Sequence, residues 1–217
     1  MFIGHFGLAF AAKKVARRPS LGTLVLAAQL ADGVWPVFLL LGWESVEIVP
    51  GATPVNPLVF TSYPYTHSLA AAVLWGALLG GTYFWLRRDR RGALWIAALV
   101  LSHWVLDFLS HGPDMPLWPG GPRIGVGLWY SLPGTLVVEF ILFGAGVWIY
   151  ASVTRAVDRL GSALLWTFVG LLAVLYLASV FGPPPPSVRV LAISGLFGWL
   201  FVGWAYWIDR HRALAGM

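Results

Sequence analysis

Cysteine is absent from the 217 residues of this chain. Disulfides and thiolate ligation are therefore excluded, and any bound metal must draw on nitrogen and oxygen donors. Charge is almost as scarce, since Asp, Glu, Lys and Arg together make up 11% of the sequence. With 59% hydrophobic residues and a mean hydropathy of +0.77, that shortage excludes an ordinary soluble domain. No internal repeat is visible, and Pro183–Pro186 is a turn rather than a low-complexity segment. What is abundant fits the same class. Thirteen Trp and seven Tyr suit a protein that must anchor at two water–lipid interfaces.

The basic residues, which give a net charge of +5, are not spread as on a nucleic-acid binder. They form four clusters: Lys13, Lys14, Arg17 and Arg18; Arg87, Arg88, Arg90 and Arg91; Arg155 with Arg159; and Arg210 with Arg212. The intervening connections hold only Arg123 and Arg189. The positive-inside rule puts the clusters, with the basic N-terminal segment and the C-terminus, on the cytoplasmic face of a bacterial inner membrane. Spans of about 20 residues then fit Leu21–Leu41, His67–Leu86, Ala93–Ser110, Thr135–Ser152, Ser162–Phe181 and Val188–Ile208. Loops 42–66 and 111–134 face outward as stiff proline-rich coverings, and Arg87–Gly92 turns a tight hairpin inward. Met1–Ala12 is apolar first and basic second, the reverse of a cleaved signal peptide, and is too short to span. It reads as a half-inserted helix. The expected fold is all-α, a single polytopic membrane domain of six transmembrane helices plus that short helix. Residues 1–150 would carry the site and 151–217 accessory helices.

Ionisable residues inside apolar segments mark functional sites, because their charge is costly in hydrocarbon. Here they are Asp32, His67, His103, Asp107 and Glu139. At ~1.5 Å rise per residue, His5 lies roughly 20 Å above Arg18, and Asp32 about as far above Pro19. His103 and Asp107 come out about 16 and 22 Å above Gly92. His5, Asp32, His103 and Asp107 thus share one layer in the outer half of the membrane, and His67 joins from the outer end of its helix. His103-x-x-x-Asp107 stacks an imidazole and a carboxylate on one helical face, within reach of one ion or of two adjacent ions. The expected metal ligands are His5, Asp32, His67, His103 and Asp107.

Each residue has a plainer reading as well. The His103–Asp107 pair could be a simple hydrogen bond, His67 an interfacial helix cap, and His5 a terminal residue, the first expected to drop out of the site. Gln29 reads as helix packing or support for a ligand. Glu139 is either an outer base or an inter-helix hydrogen-bond partner. His111 and Asp114 open a loop and read as solvated, with Asp114 also a candidate proton carrier, and His211 is set aside among cytoplasmic charges.

The strings Gly4-His5-Phe6, Leu30-Ala31-Asp32, Tyr65-Thr66-His67-Ser68 and Ser102-His103-Trp104-Val105-Leu106-Asp107, with the loop His111–Pro122, resemble the YdjM-like bacterial membrane-bound metal-dependent hydrolases. The resemblance covers the N-terminal two thirds. That family is in turn reminiscent of zinc-dependent phospholipase C, whose ligands follow the order His, Asp, His, His-x-x-x-Asp. His5, Asp32, His67, His103 and Asp107 offer that order; the extra histidines of the phospholipases are missing, which favours one or two ions over three. The resemblance implies hydrolysis of a phosphoester, a phospholipid or lipid-linked phosphate, by water activated on zinc or manganese. Asp107, Asp114 or Glu139 would handle protons, and Arg123 could pair with a phosphate. Rival readings are a proton- or ion-coupled transporter, a haem held by His67 and His103, and a scaffold with a structural metal.

Overall fold

A computed structural model describes residues 1–215 and is an all-α bundle. Its helices are α1 (Ile3–Ala12), α2 (Leu21–Ala28), α3 (Leu30–Leu40), α4 (Pro64–His67), α5 (Leu69–Arg87), α6 (Arg90–Ser110), α7 (Leu132–Val153), α8 (Arg159–Phe181), α9 (Val188–Leu196) and α10 (Gly198–Arg210). Among the described residues, α5, α6, α7, α8 and the α9–α10 stretch are each long and apolar enough to cross a membrane. A sixth span results if α2 and α3, bent by 53° at Gln29, count as one. The protein is a multi-pass membrane protein. Exposed faces support this: Trp85, Leu94, Trp148 and Leu200 point outward from these helices, and helices that are apolar on all sides belong in lipid.

Local sequence explains where the helices begin. Ser20, Ser68, Asp89, Ser131, Asp158 and Ser187 each accept, through a side-chain oxygen, the backbone N–H of the third residue following. Such caps satisfy an N–H group that would otherwise be orphaned at the end of a span.

The helices alternate in direction, so the basic clusters gather at one end and His67, His103 and Asp107 lie toward the other. At the basic end, β5 (Thr154–Ala156) pairs antiparallel with β6 (Arg212–Leu214) and ties the α7–α8 turn to the C-terminal segment. His211, set aside on sequence, closes this clip by donating from Nδ1 to Asp158 Oδ2 at 2.7 Å. That donation holds the Asp158 carboxyl below the usual carboxylate range. At the opposite end the coverings are more ordered than irregular loops. β1 (Ser45–Ile48) pairs with β2 (Leu58–Ser62), and β3 (Met115–Pro116) with β4 (Arg123–Ile124).

Three expected boundaries are corrected. The first span is broken rather than continuous. His67 ends the one-turn helix α4 instead of opening α5, which starts after the Ser68 cap. The last span is divided at Phe197 into α9 and α10.

The short helix α1 is the hub of the bundle. Ile3, Phe6, Ala9 and Phe10 are buried, and Phe6 and Phe10 meet Phe143, Tyr150 and Phe168 edge-on, with ring centroids 5.3–6.3 Å apart. Its approach to α7 is backbone to backbone at Gly7 and Gly146. A Cβ on Gly146 would collide with the Gly7 carbonyl, and one on Gly7 with the backbone of Leu142 and Phe143. Gly146→Ala should therefore push α1 off α7 and destabilise the fold by about 1–3 kcal/mol. Gly144→Ala, on the same helix with nothing within 4 Å, should be neutral; thermal unfolding of both variants in detergent makes the comparison.

Candidate metal centre

Four side chains from three segments converge at the head of the bundle: Asp32 from α3, His67 from α4, and His103 and Asp107 from α6. His67 Nε2 lies 3.3 Å from Asp32 Oδ1 and 3.8 Å from Asp107 Oδ2. His103 Nε2 lies 3.6 Å from Asp32 Oδ1 and 3.1 Å from Asp107 Oδ2. A tetrahedral ion with bonds of ~2.0–2.1 Å sets its ligand atoms roughly 3.3 Å apart. These four spacings bracket that value.

Both imidazoles set Nδ1 against an acceptor, which turns Nε2 toward the carboxylates. His103 Nδ1 lies 2.7 Å from the Ala28 carbonyl, an acceptor only, so Nδ1 carries a proton and Nε2 is left facing the carboxylates. The acceptor is supplied by the break between α2 and α3, irregular backbone that is tolerated at membrane depth because protein surrounds it. His67 Nδ1 lies 2.7 Å from Thr66 Oγ1. The Thr66 hydroxyl donates to Glu44 Oε2 at 2.6 Å, so its oxygen accepts from His67 Nδ1–H. Glu44 is itself buried and also accepts the Tyr65 and Thr66 backbone N–H groups through Oε1, at 2.8 and 2.9 Å. A neutral imidazole at either position aims its Nε2 lone pair toward the Asp32 and Asp107 carboxylates, whereas a protonated one donates to them there, as His67 Nε2 can to Asp32 Oδ1 at 3.3 Å. His103 Nε2 has no hydrogen-bond partner. Asp32, His67 and His103 form one group with metal-ligand spacing, and these buried His and Asp groups could hold a metal ion.

His5, expected to be lost first, is retained. Its ring stacks on His103 at 3.9 Å between centroids, and Nε2 lies 3.1 Å from Asp107 Oδ1. Met1 also contributes, its terminal ammonium donating to Asp107 Oδ1 and to Ser110 Oγ. Asp107 is therefore divided: Oδ1 faces His5 and Met1, while Oδ2 faces His67 and His103. His5, His103 and Asp107 form a second group with metal-ligand spacing.

The three expected proton carriers have other duties in this geometry. Both Asp107 oxygens are engaged in the cluster. Glu139 accepts from the N–H groups of Phe2 (2.8 Å) and Gly4 (2.7 Å), anchoring the start of α1; of the two readings open for it, the inter-helix partner fits. Asp114 Oδ1 is 3.0 Å from His111 Nδ1 and accepts from the Tyr63 hydroxyl at 3.1 Å. Burial keeps that phenol protonated as a donor and pushes the His111 imidazole below its ordinary range. His111 is not solvated: it packs under Trp129 and Phe60, at 4.1 and 4.7 Å between ring centroids. Arg123 is spent on the Phe60 and Thr61 carbonyls, at 3.5 and 2.7 Å, and so braces β2 rather than a phosphate. Gln29 stands at the α2–α3 break with its side-chain nitrogen unpartnered.

A cleft of about 640 Å³ opens above the cluster. Asp32, His67 and Asp107 reach it, with Asp32 the accessible one at 40% side-chain exposure against 3–5% for the other two. Phe2, Trp35, Tyr176, Val180 and Leu191 give it an apolar wall, and Pro50–Leu58 and Pro183–Pro185 line it as well. Tyr176, Val180 and Leu191 come from α8 and α9, in the segment read as accessory. No Lys or Arg lines it.

The chain matches no protein-family model, no curated protein and no solved structure.

Glu44 is the residue that sequence reading missed, and it gives a sharp test. Support of this kind typically changes metal affinity 10–100-fold. Glu44→Gln should therefore weaken zinc binding by about that factor while leaving all the candidate ligands in place. Competition titration with a chromophoric chelator in detergent would measure it.

Proposed function

We propose that the protein is a membrane-embedded, metal-dependent hydrolase acting on a phosphoester, with a phospholipid or lipid-linked phosphate as substrate class. The observation that carries this reading is two overlapping groups at metal-ligand spacing, Asp32–His67–His103 and His5–His103–Asp107, at the foot of an apolar-walled cleft. The resemblance of the His5, Asp32, His67 and His103–Asp107 strings to YdjM-like membrane-bound hydrolases supports it.

An all-N/O donor set of two imidazoles and two carboxylates suits zinc, with manganese as the next fit. When bound, such an ion lowers the pKa of a coordinated water to about 7 and polarises a phosphoryl oxygen. The residues do the rest. Asp32, half-exposed to the cleft with Oδ2 unengaged, is placed to take a proton from an entering water. His5 and the Met1 ammonium hold Asp107 so that Oδ2 stays on the histidines. With no Lys or Arg among its described lining residues, the cleft would leave much of an entering phosphate's charge to be met by the ion. Trp35, Tyr176, Val180 and Leu191 would receive the apolar part of a lipid and keep bulk water from the reacting group.

The rival readings fare less well. His67 and His103 have ring centroids only 5.3 Å apart, with carboxylates against both Nε2 atoms, which leaves no room for a porphyrin. For a transporter, Phe6, Phe10, Phe143 and Phe168 pack tightly on the side of the cluster toward the basic end, and among the described residues no group of candidate ligands stands at that end to receive an ion.

A chelator should abolish hydrolysis across a panel of phospholipids and lipid-linked phosphates, and zinc or manganese should restore it. His103→Ala should lower turnover by at least about 100-fold in protein that remains folded. Metal-loaded protein that cleaves nothing on the panel but moves protons in liposomes would favour the transporter instead.

The same proposal puts the basic end in the cytoplasm and the cleft in the outer half of a bacterial inner membrane. A single cysteine is a clean probe in a chain that has none. Gly51→Cys should label from outside intact cells and Arg88→Cys only after permeabilisation; the reverse pattern would invert the topology.

A further inference from the structure

A second site lies at the opposite end of the bundle, away from the metal cluster. Arg18, after α1, Arg87, at the end of α5, and Arg210, at the end of α10, surround a pocket of about 500 Å³ together with Ser20, Thr23, Tyr83 and Tyr206. All three arginines are exposed, and none of their guanidinium groups makes a hydrogen bond or ion pair among the described residues. Arg123 and Arg212 differ, since both are spent on backbone carbonyls.

The two carboxylates of the pocket offset only part of the arginines' charge, and both are already held by other donors. Asp209 Oδ1 accepts the Leu21 N–H at 3.1 Å and faces Lys13 Nζ at 3.3 Å. Asp89 accepts the Gly92 N–H through Oδ1 at 3.1 Å and the Tyr83 hydroxyl through Oδ2 at 3.4 Å. With three arginines against two aspartates, the lining is net positive, and Lys13 behind Asp209 adds to it.

The hydroxyls point to the same ligand chemistry. Ser20 Oγ is 2.8 Å from Thr23 Oγ1, which is 3.0 Å from the Tyr206 hydroxyl. Three hydroxyl protons serve two bonds, so one proton is left to donate outward. Donors thus outnumber acceptors, as a phosphate with its several acceptor oxygens requires. The position agrees. The pocket sits where apolar helices end, at the depth of lipid headgroups, and Trp85 and Trp207 stand exposed beside Arg87 and Arg210.

We propose that this pocket binds a phosphate-bearing anion through Arg18, Arg87 and Arg210, whether the headgroup of an anionic phospholipid or a free phosphate. The inference is independent of the hydrolase reading. Native mass spectrometry and thermal unfolding of the full chain in detergent, with phosphatidylglycerol in one arm and inorganic phosphate in the other, test it. The triple variant Arg18→Gln/Arg87→Gln/Arg210→Gln should lose affinity by roughly fivefold per arginine removed. The control Arg17→Gln/Arg90→Gln/Arg155→Gln, with the same charge change outside the pocket, should bind as wild type does. Retention of the lipid alone assigns a headgroup site; binding of inorganic phosphate, or displacement of lipid by it, assigns a soluble phosphate. Equal losses in both triple variants, or no binding of either probe by wild type, would overturn the proposal.

Discussion

Two imidazoles whose Nδ1 protons are already committed, facing two carboxylates inside an apolar bundle, set the terms for the rest of the structure. His67 is held by Thr66 and Glu44, and His103 by the Ala28 carbonyl. With Nδ1 committed on both rings, the Nε2 atoms face the oxygens of Asp32 and Asp107, and of these four groups only Asp32 is substantially open to the cleft. A cation held there, as proposed, would balance the two carboxylates. Several irregular features of the fold serve this arrangement. The break at Gln29 exposes the Ala28 carbonyl, α4 sets His67 one turn before α5, and the buried Glu44 reaches back from the covering hairpin.

The helix α1 links that centre to the stability of the bundle. Its first turn is anchored by Glu139, its His5 stacks on His103, and its Phe6 and Phe10 fill the middle of the core. The Gly7–Gly146 approach lets α1 enter deeply enough for His5 to meet Asp107. A segment too short to span is therefore placed by packing, and its placement orients a candidate ligand. In membrane bundles, where lipid removes the usual hydrophobic drive between helices, close backbone approach of this kind carries much of the association.

Much of this was legible in the sequence. Segment lengths and the grouping of Lys and Arg gave the membrane bundle, and counting rise per residue put His5, Asp32, His103 and Asp107 in one layer, where the structure brings them together. Boundaries were less legible. The break falls at Gln29 itself rather than at Gly33 or Pro36 further along the span, and the Ala28 carbonyl beside it meets His103 Nδ1, a contact that only the fold creates. Glu44 was out of reach because its partners, Tyr65 and Thr66, lie more than twenty residues on and are joined to it only by the fold. Arg123 and Asp114 misled for a related reason: their residue types suggested phosphate binding and proton transfer, but loop geometry spends them on Phe60, Thr61, Tyr63 and His111. His5 was undervalued because position in a chain says little about burial.

The central claim is that a divalent ion sits among His67, His103, Asp32 and Asp107. X-ray absorption at the zinc edge on zinc-loaded protein in detergent tests it most directly. The account predicts a four-coordinate first shell at about 2.0–2.1 Å with multiple-scattering features from two imidazoles, reduced to one imidazole in His67→Ala. A six-coordinate all-oxygen shell, or a spectrum unchanged in His67→Ala, would contradict it.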